Sequence, residues 1–306
     1  MLFAFNTAVA PALSLPVATA SARDLGYDGL EVHLPNVAGD DPAAGTVLSE
    51  RDFVKLVFER DGVRLVGLSV PAWFDAGGDA GAAGRNAATA DALRRAIDLA
   101  GRLRCPFVRV LVAAVPPGSA LAEAAVRVAD WLVPLADHAA GAGTTLLVRN
   151  ALAFRMAGPL WRVIDQADHP ALGVAWDPLA AAVAGEEPGL SVPTLNSRIR
   201  LVVLRDARLA GPAGGRRVES LCRPGEGDLP LKTLAARLRG VGFDGPVVVA
   251  YPADLPSDVG PHEALLQAAT SQFRHWKPPP PPPAKSTATK PGGTPRVAGT
   301  PAPQRA

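Results

Sequence analysis

Short apolar runs alternate along this chain with longer segments in which apolar residues recur every three or four positions. Eight runs are apolar and mostly β-branched: Leu2 to Phe5, Leu30 to Val32, Leu65 to Ser69, Phe107 to Val112, Thr145 to Val148, Leu172 to Trp176, Ile199 to Leu204 and Pro246 to Val249. Most lack polar alternation, the pattern of strands covered on both faces. The segments between them carry helix signals. A first helix is expected near Ser14, and Ser49-Glu-Arg-Asp52 is close to a capping box ahead of Phe53, Leu56, Val57 and Arg60. Ala92 to Leu103 turns Leu93, Ile97 and Ala100 inward and Arg94, Arg95, Asp98 and Arg102 outward. Leu121 to Ala140, Pro159 to Ala167, Leu231 to Arg239 and Glu263 to Trp276 continue the series, with the weakest pattern between Ala180 and Asn196. Gly26, Gly62, Gly143 and Gly242 stand at joints where a helix ends and a strand follows. Such alternation predicts parallel βαβ units of the α/β class. Eight of them suit a single closed (β/α)8 TIM barrel better than the alternative, an open doubly wound sheet.

Composition narrows the setting. With 306 residues, 48% hydrophobic and 20% charged, the chain can bury the core of one such barrel. A net charge of +2 implies no long-range attraction to nucleic acid or to a membrane surface, and neither is expected as a partner. Cys105 and Cys222 are far apart and read as reduced thiols. The first 22 residues are apolar, but no basic residue precedes them and Asn6, Pro11, Ser14 and Pro16 interrupt them, so a strand, loop and helix are expected rather than a secretory signal. No run approaches the roughly 20 apolar residues that span a bilayer. The expectation is a soluble, cytoplasmic protein. From Lys277 the composition shifts to a proline run, Pro278 to Pro283, then to Lys, Ser, Thr, Gly and Pro, with five cations and no acid. The expected organisation is a barrel over 1–276 and a disordered basic tail over 277–306. That tail is either simply solvated or a ligand for a proline-recognition partner.

In such a barrel the working residues stand at the C-terminal ends of the strands. Here those ends carry Asn6, Glu31, His33, Ser69, Arg109, Arg149, Asn150, Asp177, Arg205, Asp206, Ala250 and Tyr251. Three arginines grouped at one mouth would suit a phosphate, a carboxylate or a sugar acid, because guanidinium matches oxyanions through paired hydrogen bonds. Each is equally open to an ordinary salt bridge. Glu31 and His33 can divide acid–base work near neutral pH. Glu226, in Gly225-Glu-Gly-Asp228, stands in a loop able to shape the pocket, and Asp228 is open to a plain N-cap role.

Leu25-Gly-Tyr-Asp-Gly-Leu-Glu-Val32, Ala175-Trp-Asp-Pro178, Gly225-Glu-Gly-Asp228 and Gly242-Phe-Asp-Gly245 together resemble the sugar phosphate isomerase/epimerase family. That family shares the xylose isomerase-like barrel with AP endonucleases of the endonuclease IV type. The resemblance implies a divalent cation held by Glu, Asp, His and Glu at the ends of strands five to eight. This sequence has Arg149, Asp177, Val203 and Ala250 at those positions, so Asp177 is the one retained ligand. A hard divalent ion needs several oxygen or imidazole donors, so no metal and no cofactor is expected, and the usual metal-dependent mechanism is expected to be absent. Arg149 is expected to pair with Asp177 and stand in for the missing positive charge. The leading reading is a pseudoenzyme-like barrel that binds a sugar or sugar-phosphate-like anion through Arg109, Arg149, Asn150, Arg205, Glu226 and Tyr251. The alternatives are a metal-independent isomerase or epimerase using Glu31, His33 or Asp177, and an interaction scaffold acting through the tail.

Overall fold

The computed structural model describes residues 1–34, 51–77, 80–212, 215–252, 262–273 and 276. The strands in chain order are β1 (Leu2–Asn6), β2 (Gly29–His33), β3 (Arg64–Ser69), β4 (Phe74–Asp75), β5 (Phe107–Leu111), β6 (Ala113–Ala114), β7 (Thr145–Arg149), β8 (Leu172–Trp176), β9 (Ile199–Leu204), β10 (Asp206–Ala210), β11 (Arg217–Cys222) and β12 (Pro246–Val249). Eight of these close a barrel in the order β1-β12-β9-β8-β7-β5-β3-β2. Every pairing in it is parallel. The eight apolar runs are these eight strands, and the open-sheet alternative is excluded by closure.

Helices cover the outside. Gly26, Gly62, Gly143 and Gly242 all adopt positive φ, between 65° and 77°, at the helix-to-strand joints. Glycine reaches that region without steric cost. The helix expected over Ala92 to Leu103 begins at Ala80, because its alanine-rich first half has high helix propensity but little apolar periodicity. The weak pattern after Ala180 resolves into two short helices, Pro178–Val183 and Pro188–Leu195, each opening on a proline. The capping box at Ser49 and the tail beyond Lys277 fall outside the described residues.

Two small sheets were not expected from the sequence. The antiparallel β10–β11 hairpin rises from the end of β9, and β4 pairs with β6 beside the ends of β3 and β5. The hairpin escaped the reading because its strands mix charged and apolar residues and are exposed on their outer parts. Asp206 fixes its base, accepting backbone N–H groups from Ala207, Gly225, Gly227 and Leu229.

The core has two parts. Most buried side chains lie between strands and helices. A smaller cluster, Ala4, Val66, Leu147, Ala175, Leu201, Val203 and Val248, packs separately. Side chains two residues apart share a face of a strand, so this cluster lies beneath Asn6, Arg149, Asp177, Arg205 and Ala250. It is the plug inside the barrel, and those five stand above it at the mouth. No helix among the described residues is long and apolar enough to cross a membrane.

Gly29 shows how closely the strands approach. A Cβ there would lie 2.6 Å from Val66 Cγ1 and 2.7 Å from the Arg64 carbonyl oxygen. Gly29→Ala should cost about 1–3 kcal/mol in urea unfolding, since the backbone of β3 must move to admit it. An unchanged midpoint and slope would show that β2 and β3 do not pack this tightly.

Candidate functional site

Two fully buried carboxylates organise the mouth. Glu31, on β2, receives Arg109 Nε and Nη2 at 2.6 Å each on its two oxygens, a bidentate pair, and Asn6 Nδ2 at 2.5 Å. The pair reaches across β3, where Gly67 is the register partner of Glu31. A Cβ at Gly67 would lie 3.5 Å from Glu31 Cγ, an ordinary contact, so this position packs directly beside the ion pair. Burial alone would raise the Glu31 pKa, but the Arg109 charge and the hydrogen bonds from Arg109 and Asn6 hold it below the ordinary value.

Asp177 follows β8 and is flanked by a cation from each neighbouring strand. Its Oδ2 accepts Arg149 Nη2 at 2.5 Å, Arg149 Nε at 3.1 Å and Arg205 Nη2 at 2.8 Å. Its Oδ1 accepts the backbone N–H groups of Leu179 and Ala180, capping the helix that starts at Pro178. Burial opposes ionisation, yet Arg205 and Arg149 outweigh it and bring the carboxyl down to about 2. Arg149 is itself brought down to about 10, first by burial and then by the like charges of Arg205 and Arg109, which its contact with Asp177 only partly offsets. The expected Arg149–Asp177 pair is therefore present, and Arg205 joins it.

The other expected site residues divide. His33, Ser69, Arg109, Arg149, Arg205, Ala250 and Tyr251 line one cavity of about 350 Å³ at the mouth. Larger hollows of about 470 and 440 Å³ lie on the flanks, away from this chemistry. Asn150 does not face the cavity. Its side chain accepts the Asp177 N–H and donates to the carbonyls of Asp177 and Arg155, so it positions Asp177 rather than a ligand. Tyr251 lines the wall, but its hydroxyl donates to the Cys222 carbonyl and accepts the Asp206 N–H. Glu226 is exposed and lines none of this cavity. Asp228 is no N-cap either: position N-cap is Pro230, and the Asp228 carboxylate accepts the Leu209 N–H within the hairpin.

Charge is unbalanced in this cavity. Three guanidiniums face two carboxylates, leaving one positive charge in excess. Among the described residues, Nη1 of Arg109, Arg149 and Arg205 has no hydrogen-bond partner from the protein, and Arg205 Nε is buried without one. Each arginine thus spends one edge on a carboxylate and leaves its Nη1 without a protein acceptor among the described residues.

A divalent cation does not fit the positions where the family resemblance puts one. Both Asp177 oxygens are already engaged, and Arg149, Val203 and Ala250 contribute a cation and two apolar groups. Among the described residues, no group of three or more His, Cys, Asp or Glu side chains gathers to hold a metal ion.

Residues 19–274 match the xylose isomerase-like TIM barrel family, and the chain belongs to that family. No curated protein matches it by sequence. Among solved structures it is similar to D-allulose 3-epimerase from Methylomonas sp., with 16% identity and a TM-score of 0.69 over 90% of this chain and 98% of that one. It is likewise similar to the IOLI protein with a bound zinc atom, at 16% identity and 0.69 over 90% and 98%. A third is 3-keto-D-glucoside 4-epimerase, YcjR, from E. coli, at 14% identity and 0.70 over 90% and 99%. At these identities the likeness is one of fold.

Asp177→Asn leaves two guanidiniums facing each other and should lower stability by about 3–5 kcal/mol at neutral pH. The sign with pH follows from the lowered carboxyl. Its contribution is complete above the unfolded value of 3.8 and is lost as pH falls towards about 2. Melting curves of both proteins should therefore differ by a constant margin from pH 5 to 8 and converge below pH 4. A gap that widens on acidification would contradict the ion-pair assignment.

Proposed function

We propose that the mouth binds a carbohydrate bearing one anionic group, a sugar acid or sugar phosphate, without the metal-dependent isomerisation that the family resemblance implies. The observation that carries this reading is the single surplus guanidinium charge, with unused donor edges on three arginines lining one cavity. The volume of about 350 Å³ suits a molecule of monosaccharide size. The similarity to sugar epimerase folds supports the carbohydrate part of the reading.

A second reading, metal-independent isomerisation, is favoured by one side chain. His33 lines the cavity, and burial together with the Arg109 charge keeps its imidazole below the ordinary pKa of 6.5, against the pull of Glu31. Glu31 and Asp177, the other candidates for proton transfer, are held ionised by their arginines and make poor bases. A scaffold role for the tail rests on residues outside those described.

Calorimetry at pH 7 separates these ligands. A hexuronate or hexose 6-phosphate should bind at least about tenfold more tightly than the neutral hexose, a difference of about 1.4 kcal/mol. Arg205→Gln should erase the preference, and manganese or zinc should leave the melting temperature unchanged. Equal affinity for the neutral sugar, or no binding of either anion, would overturn the reading.

A further inference from the structure

Away from the mouth, one flank cavity combines an apolar floor with an excess of cations. It measures about 440 Å³ and lies between the helix Arg51–Asp61 and the end of the helix Ala80–Leu103. Val54 and Phe58 of the first helix form its floor, joined by Leu65 of β3 and Leu103 of the second helix. The first two are buried, and the other two are partly buried against the outer core. Arg51, Val54, Lys55 and Phe58 recur every three or four residues, so they share one face of their helix.

Arg51, Lys55, Arg64 and Arg104 edge this floor, all exposed, against a single carboxylate, Glu59. Glu59 is matched by Lys55 one turn away, at 3.7 Å. Among the described residues the guanidiniums of Arg51, Arg64 and Arg104 have no protein acceptor. Four cations and one carboxylate leave three positive charges in excess.

Arg104 stands there against the preference of its backbone. Its φ is 55° at the joint before β5, where the joints before β2, β3, β7 and β12 carry Gly26, Gly62, Gly143 and Gly242. All five helices close with the same two bonds. The N–H at this position donates to the carbonyl three residues back, and the next N–H to the carbonyl five residues back. A Cβ is disfavoured in such a cap, and glycine enters it freely. Asp168, before β8, is another non-glycine joint, but aspartate tolerates this conformation and its carboxylate pairs with Arg198. Arg104 has no such compensation within the protein. Its guanidinium edges the cavity instead.

We propose that this cavity is a binding site separate from the mouth, for a small amphiphile with a phosphate or diphosphate head and a short apolar tail. The tail lies on Val54, Phe58, Leu65 and Leu103. The free guanidiniums hold the head through paired, charge-assisted hydrogen bonds. A phosphate monoester carries about two negative charges near neutral pH, a closer match to this rim than the single charge of a carboxylate. The ligand is a free molecule rather than a bilayer lipid, because the apolar lining is recessed between two helices, whereas insertion needs apolar side chains that project outward. Nothing in this assignment depends on what the mouth binds.

The test is calorimetry of the full chain at pH 7 with octyl phosphate, octanoate, 1-octanol and inorganic phosphate, the amphiphiles kept below micellar concentrations. Octyl phosphate should bind at least about tenfold more tightly than any of the other three, because both head and tail are engaged. Hexyl phosphate should bind at least about fivefold more weakly than octyl phosphate, since two methylenes leave the floor. Arg104→Gly should weaken octyl phosphate binding by at least about tenfold while Tm stays level or rises, because glycine suits the cap. Arg64→Gln should weaken it in the same direction, and Arg205→Gln, in the mouth, should leave it unchanged. Unaltered binding in Arg104→Gly overturns the proposal, as does inorganic phosphate binding as tightly as octyl phosphate. Loss of octyl phosphate binding in Arg205→Gln would move the ligand to the mouth and overturn it too. Sedimentation with phosphatidylglycerol vesicles that depends on Arg104 would assign the face to a bilayer and equally overturn it.

Discussion

Glu31 and Asp177 are fully buried at the mouth and paired with arginines, and the arrangement of the mouth follows from the need to neutralise each. A lone ionised carboxylate in such a place costs several kcal/mol. Glu31 meets the requirement through Arg109 from the second strand along, in a bidentate contact that passes over Gly67 on the intervening strand. Asp177 meets it through one cation from each adjacent strand, Arg149 from β7 and Arg205 after β9. The two solutions differ in a way that matters. The first is a closed pair, bidentate and 8% exposed on the arginine side. The second is overfilled, with two guanidiniums sharing one carboxylate oxygen and exposures of 16% and 25%. The surplus charge therefore sits at the Asp177 end, the more solvent-exposed of the two.

Beneath these charges the plug is small and apolar. Ala4, Leu147, Ala175, Val203 and Val248 fill the level below the mouth, and the glycines at 29, 67 and 173 leave the strands close together. A compact plug of this kind has little capacity to rearrange, because well-packed interiors resist changes of even one methylene. The arginines above it are consequently held from below by packing and from the side by their carboxylates. A ligand entering the mouth meets donors already in place, with little ordering left to do.

Much of this was legible in the amino-acid sequence, and the parts that were not share a cause. Strands reveal themselves as uninterrupted apolar runs because burial on both faces dictates composition, so all eight were readable. The Arg149–Asp177 contact was readable from the family resemblance, which puts Arg149 at a metal-ligand position beside a buried Asp177 that then requires a counter-charge, whereas Arg205 from the other adjacent strand was not foreseen as its second partner. The Arg109–Glu31 pair was not. Both residues were placed at strand ends, but their contact spans an intervening strand and a shift of register between Leu30 and Glu31 that composition does not reveal. Asn150 and Glu226 misled because a polar residue near a strand end looks the same whether it faces the ligand or a backbone. The β10–β11 hairpin and the first half of the Ala80–Leu103 helix were missed because strands of mixed polarity and alanine-rich turns carry no clear hydrophobic period to read.

Guanidinium and metal are not equivalent at such a position, and the difference sets what the proposed chemistry can accept. A divalent ion is a Lewis acid that draws a neutral carbonyl oxygen into its coordination sphere. A guanidinium engaged with Asp177 has no vacant coordination position and offers only hydrogen bonds from its remaining edge. It stabilises an oxyanion that is already present or forming, and it interacts weakly with a neutral carbonyl. A sugar held here must therefore bring its own charge for binding. Any proton removed from it must come off through a base strong enough to act without electrophilic help from a cation. Asp177, brought down to about 2, and Glu31, held below its ordinary value against burial by Arg109 and Asn6, are both too weakly basic for that step. The same pairing that makes Asp177 tolerable inside the barrel thus removes it from proton chemistry.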